Sequence, residues 1–140
     1  AKALGCKRGE AARKDVCVTL AAGAMTDDEL YEQGKLLAIE SEYDWALEVL
    51  ALITKQDDAK VLNYIGYSHR KAGRLETGIE VYKKALSLDA NFVQARAYLG
   101  EAYILAGNKE LALAELAEIK NRCGEACPEY KELEKALAQN

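Results

Sequence analysis

Proline and histidine are almost absent from this 140-residue sequence, each occurring once, at Pro128 and His69. Ala, Leu, Glu and Lys dominate instead, and this composition favours helices over the strands of a sandwich or barrel. Half of the residues are hydrophobic, so a single domain can bury a core without help from a metal or cofactor. We therefore expect one all-α domain that needs no cofactor.

The scarcity of histidine also limits the catalytic chemistry open to the chain. Hydrolases with a serine nucleophile and most catalytic metal sites depend on histidine. No phosphate-binding glycine loop follows a strand, since Gly66, Gly73 and Gly78 fall inside or between predicted helices. Carboxylates are abundant, as expected for solvated helix faces in a chain with 30% charged residues. We predict that the protein is not an enzyme, and that His69 packs against a neighbouring helix.

An excess of positive charge and a long apolar run are both missing. The net charge of -4 and the pI near 5.2 give no footprint for nucleic acid, and the basic residues before position 15 are interpreted as a solvated tail. The longest apolar stretch, 16–25, is half the roughly 20 residues that a membrane span requires. No signal peptide is expected in the residues shown, and Ala1 fits either a mature end after cleavage or a chosen boundary.

A repeat of 34 residues is the dominant pattern. The sequence Tyr-Ile-Gly-Tyr at 64–67 recurs as Tyr-Leu-Gly-Glu at 98–101, and Lys-Ala-Gly-Arg at 71–74 recurs as Leu-Ala-Gly-Asn at 105–108. A looser copy begins at Asp27, where the interval to the next copy shortens by two residues. A period of 34 is the length of the tetratricopeptide repeat, a helical hairpin that buries its apolar face against its neighbours.

The chain resembles the tetratricopeptide repeat family in the residues that fill this period. The second copy matches the family pattern at Leu62, Ile65, Gly66, His69, Gly78, Tyr82 and Ala85, and the third at Arg96, Leu99, Gly100, Tyr103, Ala112, Leu116 and Ile119. The proline that usually closes a repeat is replaced by Asp58, Ala90 and Gly124. The resemblance implies a right-handed superhelix of antiparallel helix hairpins. We expect an N-terminal segment at 1–26, three repeats at 27–58, 59–92 and 93–126, and a capping helix at 127–140.

Capping and turn residues divide these repeats into helices. Thr26 with Asp27, and Asp57 with Asp58, suit helix starts, while Gly73 and Gly107 suit the tight turns inside a repeat. Pro128 fits the first position of a last, amphipathic helix. The predicted helices are 27–39, 43–54, 58–72, 75–88, 91–106, 109–121 and 128–138.

The four cysteines form two local pairs, one at each end of the repeats. We predict disulfides Cys6–Cys17 and Cys123–Cys127, each contributing about 2–3 kcal/mol by tethering an end of the chain. Such pairs imply an oxidising compartment, so a periplasmic or secreted location is expected. A four-cysteine zinc site, a redox-active pair, and reduced thiols in a cytoplasmic protein are the alternatives. The segment 123–130 also resembles the ending of small bacterial tetratricopeptide proteins.

The resemblance further implies a partner-binding groove along the first helix of each repeat. By position, the residues expected to contact a partner are Tyr31, Lys35, Lys60, Asn63, Tyr67, Arg70, Gln94 and Glu101. The lysine, asparagine and arginine clamp with which tetratricopeptide co-chaperones hold a chaperone tail is absent, because Tyr31, Lys35, Tyr64, Gln94 and Tyr98 occupy its places. A chaperone-tail adaptor is therefore not expected.

These observations favour an interaction scaffold that binds a peptide or protein of unidentified sequence. Fold analogy carries most of this hypothesis. A self-associating assembly module is the second hypothesis, with a homo-oligomer as its consequence. A thiol-redox or metal-binding protein is the third.

Overall fold

A computed structural model describes residues 10–13, 16–19 and 25–139 of the chain. Seven α-helices occupy residues 27–138: α1 Asp27–Ile39, α2 Tyr43–Leu50, α3 Ala59–Lys71, α4 Leu75–Leu88, α5 Val93–Leu105, α6 Lys109–Cys123 and α7 Pro128–Ala138. The pairs α1–α2, α3–α4 and α5–α6 form hairpins, and α7 packs on both α5 and α6. The predicted all-α class is confirmed for this part of the chain.

A short antiparallel hairpin precedes the helices and was not expected from the sequence. Strand β1, Glu10–Arg13, pairs with β2, Val16–Thr19, so that Glu10 lies opposite Thr19. Val16, Val18 and Thr19 are β-branched, which suits a strand once the two segments pair. Cys6 lies outside the described residues, so the Cys6–Cys17 pairing stays a prediction.

Local hydrogen bonds explain where the helices begin. Thr26 and Glu29 form a reciprocal capping box at α1, with the Thr26 N–H donating to Glu29 Oε1 at 3.0 Å. Asp58 accepts from the Lys60 N–H at the start of α3, and Asn108 accepts from the Leu111 N–H at α6. These caps satisfy amides that the first helical turn leaves without partners.

Left-handed residues end the first helix of each hairpin. Gly73 and Gly107 have φ angles of 95° and 78°, and the N–H after each donates back to His69 and Tyr103 carbonyls at 2.8 Å. Ser41 takes the same position in the first repeat with φ 68°. The turn between α1 and α2 therefore has the same geometry as the other two, although it contains no glycine.

Helix α2 is shorter than predicted, ending at Leu50 rather than near residue 54. The Gln56 side chain donates to the Leu50 and Ile53 carbonyls at 3.0 and 2.7 Å, and so ends the helix early. The following loop is tied to α1, because Asp27 accepts from the Thr54 N–H at 2.9 Å and from its hydroxyl at 2.6 Å. These bonds lower the pKa of Asp27.

Two apolar clusters form the core, one around α1 to α3 and one around α4 to α7, and Tyr67 packs against both. Glycines allow the closest approaches within them. A Cβ on Gly66 would lie 2.9 Å from the Tyr82 ring, whereas one on Gly100 would lie 2.5 Å from Leu133 of α7. In the described part of the chain no helix is long and apolar enough to cross a membrane.

Candidate partner-binding surface

The odd-numbered helices form one continuous wall. Helix α1 contacts α3, α3 contacts α5, and α5 contacts α7, whereas the described even-numbered helices stay farther from one another. When the helices of a stack are closer together on one side than on the other, the stack is curved and the side with the closer helices is concave. We call the exposed side of α1, α3, α5 and α7 the inner face.

Five tyrosines form a continuous series of ring contacts, four of them on the helices of this wall and the fifth, Tyr82, on α4 behind it. The ring centroids are 6.0 Å apart for Tyr31 and Tyr64, 5.9 Å for Tyr64 and Tyr67, 5.3 Å for Tyr67 and Tyr98, and 6.1 Å for Tyr98 and Tyr82. We call this series the tyrosine ladder. Tilted and edge-on geometries of this kind stabilise beyond the area that they bury.

Burial of the ladder shows in the acidity of its hydroxyls. Loss of solvent raises the pKa of Tyr31 and of Tyr82 to about 12, and raises that of Tyr98 as well. Tyr82 and Tyr64 are buried, whereas Tyr31, Tyr67 and Tyr98 keep part of their surface exposed. The ladder is therefore both a core element and the floor of the inner face.

Cationic side chains lie over the rings. Lys60 Nζ is 4.8 Å from the Tyr31 centroid, Lys35 Nζ is 5.9 Å from that of Tyr64, and Lys71 Nζ is 5.7 Å from that of Tyr67. The attraction between an ammonium group and a ring face holds each lysine above the wall. Lys60 and Lys71 are exposed and Lys35 is partly exposed, so their charges remain available.

Two cations are buried in the odd-numbered helices described, Arg70 on α3 and Arg96 on α5, and Arg70 is the one that lies against the tyrosine rings. Its Nε donates to the Tyr82 hydroxyl at 3.3 Å, and its guanidinium carbon lies 5.5 Å from the ring centroids of both Tyr67 and Tyr98. The nearest carboxylate is Glu101, with an Nη2 to Oε2 distance of 3.6 Å. Burial raises the pKa of Glu101.

The structure separates the sequence-predicted site residues into two groups. Tyr31, Lys35, Lys60, Tyr67, Gln94 and Glu101 all reach the surface of the inner face, and Arg70 lines a cleft in it. Asn63 does not, because it is fully buried and its Nδ2 donates to Gln94 Oε1 at 3.0 Å. The expected exposure of Asn63 is wrong, since position within the 34-residue repeat does not report how closely α5 approaches α3.

Helix α7 contributes residues that the sequence analysis missed. Glu132, Lys135 and Gln139 line the same cleft as Arg70. The signal was available, because Glu132 and Lys135 follow Tyr98 and Glu101 by one further period of 34. Treating α7 only as a cap concealed that it also continues the inner face.

The groups considered for chemistry have structural partners. His69 Nδ1 accepts from Arg74 Nε at 2.9 Å, and burial together with Arg74 lowers its pKa. Cys123 and Cys127 form a disulfide with their Cα atoms 5.9 Å apart. In the described residues, the only cluster with metal-ligand spacing is these two sulfurs with Glu129. A disulfide removes the thiolates that a zinc site needs.

Comparison with known proteins identifies the family. A model of the tetratricopeptide repeat matches residues 69–139, just over half of the chain. The chain belongs to the tetratricopeptide repeat family. No curated protein sequence matches it significantly.

Several solved structures share the fold of this tetratricopeptide protein at low sequence identity. MamA superimposes with a TM-score of 0.69 at 16% identity, covering 81% of this chain and 67% of MamA. The translocator chaperone SycD of Yersinia enterocolitica gives 0.68 at 19%, covering 81% and 85%. PcrH, solved in complex with the chaperone binding region of PopB, gives 0.68 at 19%, covering 85% and 98%. The chain spans 54% of MamA 41-end from Desulfovibrio magneticus RS-1.

Proposed function

We propose that this tetratricopeptide protein is a non-catalytic interaction module that binds a peptide segment of a protein partner along its inner face. The tyrosine ladder is the observation that carries the proposal. Partly exposed rings on α1, α3 and α5 offer apolar area, and Lys35, Lys60 and Lys71 offer charge-assisted hydrogen bonds beside it. Aromatic side chains with nearby cations are typical of residues that dominate binding energy.

Two of the similar structures support the proposal by analogy. PcrH binds a region of PopB, and Scc3 forms a complex with CopN. Both share less than 25% identity with this chain, so the analogy extends to the use of the fold and to no particular partner.

Selection from a library of displayed random peptides would test this function. Peptides that bind the wild-type protein are measured again by fluorescence anisotropy against Tyr31→Ala and Lys60→Ala on the inner face. Truncating a central contact should weaken binding by roughly tenfold or more. Lys84→Ala on α4 is the control, because Lys84 is exposed on an even-numbered helix. Selected peptides that bind all of these variants equally would exclude the inner face as the binding surface.

Self-association is the second candidate function. Leu105 is 66% exposed and Ile39 is 56% exposed, so each offers apolar area that a second copy of the chain could cover. A related structure, SycD, is described as a dimer. Light scattering after size exclusion decides this candidate, since a mass that stays monomeric across a hundredfold range of concentration would contradict it.

We also propose that the protein works in an oxidising compartment, the periplasm or the cell exterior. The Cys123–Cys127 disulfide supports this location, since glutathione keeps such pairs reduced in the cytosol. Alkylation of the protein in freshly opened cells, followed by intact-mass measurement, tests it. Alkylation at Cys123 or Cys127 without prior reduction would contradict the proposal.

A further inference from the structure

A cleft of about 410 Å³ opens where α3, α5 and α7 meet on the inner face. Its walls come from Tyr67 and Arg70 of α3, Tyr98 and Glu101 of α5, and Glu132 and Lys135 of α7. It is the part of the inner face where charged side chains from three helices converge. A partner segment that follows the tyrosine ladder from α1 would reach this cleft at the α7 end.

The guanidinium of Arg70 forms the floor of the cleft with donors to spare. Its side chain is 5% exposed, and the Tyr82 hydroxyl together with two ring contacts fixes its orientation. Glu101 Oε2 stands 3.6 Å from Nη2, which is beyond a direct hydrogen bond. Among the described residues, none accepts a hydrogen bond from either η nitrogen of Arg70, and neither nitrogen is shut off from solvent. The η N–H groups can therefore donate to a ligand that enters the cleft.

The charges around Arg70 favour an anion of single charge. Lys71 lies beside it on α3 and Lys135 faces it from α7, giving three cations against the carboxylates of Glu101 and Glu132. Glu101 does not make a direct hydrogen bond to Arg70. Burial and the neighbouring Glu132 raise the pKa of Glu101, although the guanidinium lowers it. One further carboxylate would balance the formal charge and supply the missing acceptors.

We propose that this cleft binds a carboxylate of the partner segment, received by the η nitrogens of Arg70 and flanked by Lys71 and Lys135. The planar fork of arginine matches the two oxygens of a carboxylate, and rings that stack on it hold the fork in place. The carboxylate comes from an acidic side chain or from a chain terminus. This subsite rests on the proposed function, and it lies away from Tyr31 and Lys35, where a chaperone-tail clamp would begin.

Small carboxylate probes test the subsite on the intact protein. Acetyl-glutamate α-amide carries a side-chain carboxylate, acetyl-alanine carries a terminal one, and acetyl-glutamine α-amide is the neutral match. Titrations followed by NMR should shift the Arg70 Nε–H signal and the Lys71 and Lys135 amides, with a Kd of about 1–10 mM for at least one acid. The stronger acid identifies the source. Equal shifts with the glutamine probe, or shifts confined to other residues, would overturn the proposal.

Charge variants give a second, independent readout. Lys135→Glu should raise the Kd about fivefold or more, whereas Lys131→Glu, one turn earlier on α7 and exposed outside the cleft, should change it less than about twofold. Glu101→Gln should lower the Kd, because it removes the competing carboxylate. Equal effects of the two lysine changes, or weaker binding by Glu101→Gln, would contradict the subsite. If the probes fail while selected peptides still depend on Tyr31 and Lys60, the subsite is wrong and the binding function stands.

Discussion

Some buried residues have polar side-chain atoms that lack a hydrogen-bond partner among the described residues. Ser68 Oγ and Asn63 Oδ1 are fully buried, and neither has a hydrogen-bond partner among the described residues. An unmatched buried acceptor or hydroxyl costs folding free energy. The two sites differ, because the Asn63 side chain donates to Gln94 and so joins α3 to α5, whereas the Ser68 hydroxyl makes no such bond to another described residue.

Ser68→Ala should therefore leave the protein as stable as before or more stable by up to about 1 kcal/mol, since it removes a desolvated hydroxyl and improves helix propensity. Urea unfolding followed by circular dichroism measures the change. Asn63→Ala is the matched comparison, and it should destabilise because it leaves Gln94 without its donor. A loss of more than 1 kcal/mol for Ser68→Ala would show that the hydroxyl has a partner, such as a bound water.

The sequence predicted the place of some residues of the inner face but not of others. Tyr31, Tyr67 and Lys60 lie on the inner face as the 34-residue period predicts. Asn63 does not, since its burial depends on the approach of α5, which local periodicity does not encode. The burial of Arg70 between two rings was missed for the same reason.

At the scale of elements, α7 is joined to the repeats by packing and by a covalent bond. Leu133 is fully buried and packs directly against Gly100, where there is no room for a side chain. The Cys123–Cys127 disulfide closes the loop that connects α6 to α7. Each attachment can be broken separately by substitution.

Gly100→Ala should destabilise by about 1–3 kcal/mol, because the added Cβ would meet Leu133 at 2.5 Å. Leu133→Ala alone should cost about 2–5 kcal/mol through the cavity that it leaves. The double variant should lose less than the sum by at least about 0.5 kcal/mol, since the new methyl enters that cavity. Gly66→Ala combined with Leu133→Ala is the control and should be additive, because Gly66 faces Tyr82. Additivity in the Gly100 cycle would contradict the packing.

Removing the disulfide with Cys123→Ser and Cys127→Ser should lower the free energy of unfolding by about 2 kcal/mol, as expected for closing a very short loop. Hydrogen exchange should accelerate in α7 while α1, at the far end of the stack, keeps its protection. Equal exchange in α7 with and without the sulfurs would mean that Leu133 packing alone holds the helix.

The sequence was informative about these elements where the cause is local. Caps at Thr26 and Asp58 and turns at Gly73 and Gly107 placed helix ends within two residues. The end of α2 was wrong by four residues because the Gln56 side chain, which lies outside the helix, ends it. Strands β1 and β2 were missed because their pairing depends on two short segments meeting.

At the scale of the whole molecule, the tyrosine ladder links all three repeats in one partly buried aromatic system. It joins α1, α3, α4 and α5, so that one helix cannot leave the stack without exposing a ring on its neighbour. Because the pKa values of its hydroxyls are raised, the stability of the fold depends on pH in the alkaline range. A phenol with a raised pKa in the folded state favours folding only while it stays protonated.

The protein should therefore lose stability as pH rises from about 10, where phenols of the unfolded chain ionise, to about 12, the pKa of Tyr31 and Tyr82 when folded. Below pH 10 both states hold the proton, so these groups add no pH dependence there. Urea unfolding at pH 8, 10 and 11 measures the loss. Tyr31→Phe should reduce this loss. A loss in Tyr31→Phe as large as that of the wild-type protein would contradict this account.

The same aromatic series makes the fold visible to ultraviolet light. Ionised tyrosine absorbs ultraviolet light differently from neutral tyrosine. In the folded chain the hydroxyls of the ladder keep their protons to a higher pH than free tyrosine does. The change in tyrosine absorbance at alkaline pH would then accompany the unfolding of the repeats. Unfolding could be followed by this absorbance, without an attached dye.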